Sequence, residues 1–138
     1  VLLTGASGFI GLHCTRLLLQ SGFKVRGAIR NQEKKNLLRN LMAANDCNAN
    51  NLELTQLDLT SDFGWDAATQ GCDYVMHVAS PFRIANPKNE SDMLTPAVEG
   101  TLRVLRAAKK AQVKRVVLTS SIVSMMSSIR RGVFTPDD

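Results

Sequence analysis

Aromatic side chains are scarce, at 5% of the 138 residues with a single Trp and a single Tyr. That excludes the stacking platforms on which single-stranded nucleic acids are bound. The formal net charge of +5 is therefore not read as a nucleic-acid or anionic-membrane footprint, because the basic residues are scattered over the ends of several elements and no nucleic-acid motif accompanies them. Long apolar runs are also missing, and none approaches the ~20 residues of a membrane span. The apolar start, Val1-Leu2-Leu3, runs at once into a glycine loop and lacks the charged and long apolar regions of a signal peptide. A cytoplasmic location is the expectation. Cys14, Cys47 and Cys72 are odd in number and show no C-x-x-C spacing, and His13 and His77 complete no metal-ligand pattern with them. They are expected to be reduced thiols. Acidic residues are absent before Glu33, an absence that bears on ligand choice below.

What is present has the balance of a folded domain, with 44% hydrophobic and 21% charged residues and enough length for one hydrophobic core. Its most informative stretch is Thr4-Gly5-Ala6-Ser7-Gly8-Phe9-Ile10-Gly11. It follows an apolar strand-like run and leads into Leu12 to Leu19, so it reads as strand, glycine loop, helix. Such a loop turns main-chain N–H groups and the positive end of a helix dipole toward an anion. In a dinucleotide site the three glycines divide the work: Gly5 turns the chain out of the strand, Gly8 lets backbone approach a pyrophosphate, and Gly11 lets helix and strand pack closely. The spacing is G-x-x-G-x-x-G rather than G-x-G-x-x-G, and the strand-to-helix context supports the assignment.

Further along, hydrophobic periodicity predicts helices from about Phe9 to Ser21, from Asn31 to Asn45, from Asp62 to Gln70 and from Asp92 to Ala111. The first is expected to bury Ile10, Cys14, Leu17 and Leu18, the second Leu37, Leu38, Leu41 and Met42 behind an Asn31 N-cap, and the last Leu94, Val98, Leu102, Leu105 and Ala108. Strands are expected at Lys24 to Ile29, Leu52 to Leu57, Tyr74 to Ala79 and Arg115 to Thr119, the third of these buried along its length with Tyr74. Strands alternating with helices through short connections describe an α/β fold with a doubly wound parallel sheet, a Rossmann arrangement.

A dinucleotide that carries only a 2′-hydroxyl is usually held by an Asp or Glu about twenty residues past the glycine loop. None is there. Arg30 ends strand two, and Lys34 and Lys35 follow one helical turn on, so positive charge stands where a 2′-phosphate would lie and NADP is favoured over NAD. The alternative is that these cations are a solvated strand end and helix face. Asp58-Leu59 ends strand three, placed to accept from an adenine amino group, or else Asp58 caps the following helix. His77 lies one residue inside its strand and is expected to point into the core or pair with backbone.

Together, Thr4 to Gly11, Arg30 with Lys34, Asp58-Leu59, Val78-Ala79-Ser80-Pro81-Phe82, Pro96 to Thr101 and Arg115 to Ser121 resemble the extended short-chain dehydrogenase/reductases, and most of all the dihydroflavonol reductase and cinnamoyl-CoA reductase group. The resemblance implies that Gly5, Ala6, Ser7, Gly8, Phe9, Ile10 and Gly11 serve the pyrophosphate, Arg30 and Lys34 the 2′-phosphate, Asp58 and Leu59 the adenine, and Val78, Ala79 and Ser80 the nicotinamide ribose. It implies NADPH-dependent reduction of a small-molecule ketone or aldehyde by a Ser, Tyr and Lys trio, with Ser121 as the Ser that hydrogen-bonds the carbonyl oxygen. Phe82, Met125 and Met126 would offer apolar contact to such a substrate. The Y-x-x-x-K of that trio is not in the chain: the one tyrosine, Tyr74, is followed four residues later by Val78. Residues 1–138 are therefore expected to be the NAD(P)-binding part of a longer reductase, incomplete at the C-terminus and inactive alone. The alternatives are a non-catalytic NADP-sensing module and, within the same framework, a sugar-nucleotide epimerase or hydroxysteroid dehydrogenase.

Overall fold

The structure, a computed structural model, describes residues 1–45, 47–81, 89–122 and 124. Among the described residues, five strands, β1 (Leu2–Thr4), β2 (Val25–Ile29), β3 (Leu52–Gln56), β4 (Tyr74–His77) and β5 (Arg115–Leu118), alternate with four helices, α1 (Phe9–Gln20), α2 (Lys34–Ala43), α3 (Trp65–Thr69) and α4 (Ser91–Lys110). A 3₁₀ turn, Ala49–Asn51, precedes β3. The strands form one sheet in the order β3-β2-β1-β4-β5, and every pairing is parallel. The expected doubly wound Rossmann sheet is what the chain forms.

Alternation along β1 divides the core between the two faces of the sheet. Leu2 points to the side where Ala28, Val75, Trp65 and α4's Val104, Ala107 and Ala108 gather. Its neighbour Leu3 points to the other, among Val25, Ile29, α1's Leu19 and α2's Leu38 and Met42. Both leucines are fully buried, as expected of a central strand covered by helices on both faces.

Element boundaries fall within a few residues of expectation. The starts of α2 and α3 shift most, each three residues later than expected, and at α2 Asn31 does not cap the helix directly. Its Oδ1 accepts from the Glu33 N–H at 2.8 Å and its carbonyl from Lys34 N–H at 3.3 Å, a turn that delays the helix to Lys34. The buried helix faces differ more. On α1 the buried residues are Gly11, Thr15 and Leu19, while Ile10 and Leu17 are more than half exposed. Helix α4 buries Gly100, Val104, Ala107 and Ala108, leaving Leu94, Val98 and Leu105 outward. On α2, Leu38 and Met42 are buried but Leu37 and Leu41 are not. Tyr74, expected to be buried, is 41% exposed at the start of β4. Parallel strands bring all the strand-to-helix loops to one end of the sheet, and the candidate site lies there.

Candidate functional site

A cavity of about 670 Å³ runs across the carboxyl ends of the strands. Strand order reverses between β1 and β4, the crevice in which open α/β sheets bind ligands. At this crevice the loop after β1 supplies Gly5, Ser7 and Gly8, and the first turn of α1 supplies Phe9, Ile10 and Gly11. Val78, Ala79 and Ser80 line the wall beyond β4. Arg30 at the end of β2 and Asp58 with Leu59 after β3 line the far part. Asp58-Leu59 thus stands two strands from the reversal but on the same cavity. Two of the expected cofactor residues are not on it: Ala6 is completely buried, and Lys34 begins α2 outside the cavity lining.

The loop is built by close approach. Gly5 has φ +70°, and a Cβ there would stand 3.0 Å from the Ala79 backbone. At Gly11 a Cβ would fall 2.0 Å from the Gly5 carbonyl oxygen, so no side chain fits. The Gly8 N–H bonds the Gly5 carbonyl at 2.9 Å, and Leu12 N–H bonds Gly8 at 2.8 Å. Between them, the N–H groups of Phe9, Ile10 and Gly11 have no acceptor among the described residues, as at any open helix start. With no acidic residue in that first turn, the donors and the dipole are left for an anionic group.

Asp58 is held for interaction from one side. Its Oδ1 accepts both the Thr60 N–H at 2.8 Å and the Thr60 hydroxyl at 2.7 Å. These bonds, with a smaller contribution from the Arg30 cation, keep its carboxyl below the usual value of 3.8. The carboxylate is ionised at neutral pH, and both bonds use the same oxygen. The helix-cap reading does not hold, because α3 starts at Trp65 behind Gly64: Asp58 instead closes the turn to Ser61, whose N–H bonds the Asp58 carbonyl at 3.2 Å, and lines the cavity.

Beneath the crevice, His77 is buried and pairs with a side chain rather than with backbone. The Thr4 hydroxyl oxygen accepts from Val78 N–H at 3.1 Å and Ala79 N–H at 3.0 Å and lies 2.6 Å from His77 Nδ1. With both lone pairs engaged, the hydroxyl donates its own hydrogen to Nδ1, which fixes His77 as the neutral Nε2–H tautomer. Burial pushes its pKa below the usual 6.5 in the same direction. His77 is thus a fixed part of the floor, and Thr4 ties the end of β1 to the end of β4.

Ser121 lies past the end of β5, exposed, outside the cavity lining. Its carbonyl accepts from the Ser124 N–H at 3.0 Å and the Ser124 hydroxyl at 2.6 Å. Phe82, Met125 and Met126 lie outside the described residues. Sequence reasoning missed Thr4, Ala28, Leu57, Thr60, Trp65 and Pro81, which also line the cavity. All but Trp65 lie within about four residues of a strand's carboxyl end, and that position in a parallel sheet was the available signal. Among the described residues no three His, Cys, Asp or Glu side chains are gathered to hold a metal ion, and no helix is long and apolar enough to cross a membrane.

Comparison with known proteins agrees with this fold. Anthocyanidin reductase of Vitis vinifera is 38% identical over 125 residues, covering 88% of this chain and 36% of that protein. Dihydroflavonol 4-reductase of Hordeum vulgare is 40% identical over 129 residues, covering 91% and 35%. Among solved structures, yeast methylglyoxal/isovaleraldehyde reductase Gre2 complexed with NADPH superposes with a TM-score of 0.74 at 34% identity, covering 87% of this chain and 36% of that one. The chain thus spans about a third of the length of the relatives it matches. The model of the NAD dependent epimerase/dehydratase family matches residues 1–131, and with the sheet order and the glycine loop in place the chain belongs to that family.

Proposed function

We propose that this chain binds NADPH and that the complete protein uses it to reduce a ketone or aldehyde to an alcohol. The observation that carries the cofactor reading is the pairing of two features on one cavity. Donors at the open start of α1 suit a pyrophosphate, and Arg30 at the end of β2 stands where an NAD site would carry a carboxylate. With no acidic residue before Glu33, nothing on β1, α1 or β2 would repel a 2′-phosphate. Lys34 adds charge from the start of α2 without lining the cavity. Ala79 and Ser80, at the β4 side, would meet the nicotinamide ribose, and Asp58 and Leu59 the adenine.

When bound, NADPH supplies the hydride. The chain's own residues hold it in place and, through Ser121, would donate a hydrogen bond to the carbonyl oxygen as negative charge builds there. Similarity to anthocyanidin and dihydroflavonol reductases supports a reductase over an epimerase or hydroxysteroid dehydrogenase, and a working reductase over a module that only senses NADP.

The test is Arg30→Ala in the complete protein with both cofactors titrated by calorimetry. NADPH affinity should fall about tenfold or more and NADH affinity by less than twofold, since a charged hydrogen bond to phosphate carries about 1.5–3 kcal/mol. Equal losses for both would remove Arg30 from the 2′-phosphate and return it to a solvated strand end.

A further inference from the structure

The segment carrying Asp58 and Leu59 is held in place by a residue that does not touch the cavity. Arg103, on α4, donates from Nη1 to the Leu59 carbonyl at 2.8 Å and from Nε to the Asp62 carboxylate. Its side chain is only 18% exposed, so its charge lies against the loop rather than in solvent. One helical turn earlier, Gly100 faces the same residue: a Cβ on Gly100 would stand 2.9 Å from Leu59 Cβ. The face of α4 formed by Gly100 and Arg103 is therefore a socket, with the glycine admitting the Leu59 side chain and the guanidinium fixing its backbone. A second tie comes from inside the loop, where Trp65 Nε1–H bonds the Ser61 carbonyl at 2.8 Å.

We infer that Arg103 is a positioning residue for the adenine end of the cofactor site, acting through Leu59 and Asp62 and touching no ligand itself. The inference rests on the proposed NADPH site. Its physical basis is the fork of the guanidinium, which reaches a carbonyl and a carboxylate at once. A lysine can keep the attraction to Asp62 but presents one nitrogen in place of two. Helix α4 is anchored on the sheet by Val104, Ala107 and Ala108, all buried, so the socket is set by the core. Without this tie, Asp58 would keep its Thr60 bonds but the turn as a whole could shift against β2 and Arg30.

The experiment measures binding of NADPH and of 2′,5′-ADP, which has the adenine and 2′-phosphate but no nicotinamide, to the complete protein by calorimetry. Arg103→Met, which keeps side-chain length without donors, should raise Kd for both about tenfold with stoichiometry unchanged at one site per chain. Arg103→Lys should recover part of that loss. Merely structural damage would lower the stoichiometry, as part of the sample unfolds, and leave Kd unmoved. Should Arg103→Met fail to fold, Gly100→Ala makes the same test without altering charge, by forcing Leu59 out of its socket, and should weaken 2′,5′-ADP in the same way. Wild-type Kd for 2′,5′-ADP in a folded variant overturns the positioning role and leaves the cofactor site standing. If the wild-type protein itself binds no 2′,5′-ADP, the cofactor reading and the inference fall together.

Discussion

Thr4 offers the strictest test of how the crevice is held. Replacing it by Val keeps its shape and removes one oxygen, 1% exposed as a residue, that accepts two backbone N–H groups and donates to His77. An unpaired buried polar group costs about 1–3 kcal/mol. Three groups lose their partner, but Val78 and Ala79 are partly exposed toward the cavity and water can replace part of what they lose. The expected destabilisation is therefore about 3 kcal/mol, well short of the upper limit of that arithmetic. Thr4→Ser is the control: it keeps the hydroxyl and removes a methyl, at about 1 kcal/mol. Urea unfolding of the complete protein should rank wild type, Ser and Val in that order. If Val costs under about 1 kcal/mol, or less than Ser, the hydroxyl is not what joins β1 to β4.

The same network gives a pH dependence with a definite sign. Folded His77 has its pKa lowered from the usual 6.5 by burial, so below 6.5 the unfolded chain takes up a proton that the folded chain resists. Stability is thus fully present above 6.5 and falls as the pH drops toward the depressed folded value, by at most about 1.4 kcal/mol per pH unit for one proton. Asp58 is also depressed, but from 3.8, so its loss begins only at lower pH than that of His77. Urea midpoints between pH 8 and 5 should fall for the wild type, while His77→Gln should be flat across that window. A parallel fall in both would assign the acid limb to another group.

Two further substitutions test the backbone. Gly11→Ala puts a Cβ 2.0 Å from the Gly5 carbonyl oxygen, so either the glycine loop or α1 must move; it should cost about 1–3 kcal/mol in urea unfolding and weaken NADPH binding by about a hundredfold or more in calorimetry. Gln112 is the one non-glycine with positive φ among the described residues, at +55°, closing α4 through Gln112 N–H to Lys109 and Val113 N–H to Ala108. Gln112→Gly should relieve that strain and stabilise by about 1 kcal/mol, read as a rise of a few degrees in Tm; a lower Tm would mean the Gln side chain contributes more than its backbone costs.

The sheet and the ligand-facing loops were legible because they rest on patterns the backbone enforces. A parallel sheet needs alternating strands and helices with short joints, and Gly5 and Gly11 occupy positions where contact with Ala79 and with the Gly5 carbonyl leaves no room for a side chain. The helix faces were misread for a related reason. Reading size as burial puts Ile10 and Leu17 inside α1, and Leu94, Val98 and Leu105 inside α4. The structure instead seats α1 on Gly11, Thr15 and Leu19 and α4 on Gly100, Val104, Ala107 and Ala108, of which only Ala108 was expected, because a helix that lies close to its neighbours needs small residues where it approaches most nearly. The Gly11 contact that shapes the candidate anion-binding loop also draws α1 against the loop, and the Gly100 contact that seats Leu59 also draws α4 against the turn after β3. A periodicity scan weighted by side-chain size cannot see such contacts, since it scores glycine as a gap. Arg103 escaped for the same reason: as a charged residue beside that gap it reads as solvated surface, and only the fold shows that Leu59 and Asp62 stand opposite it. In this chain the small residues mark where helices touch the candidate site, and the side chains that shape that site from a distance are found beside them.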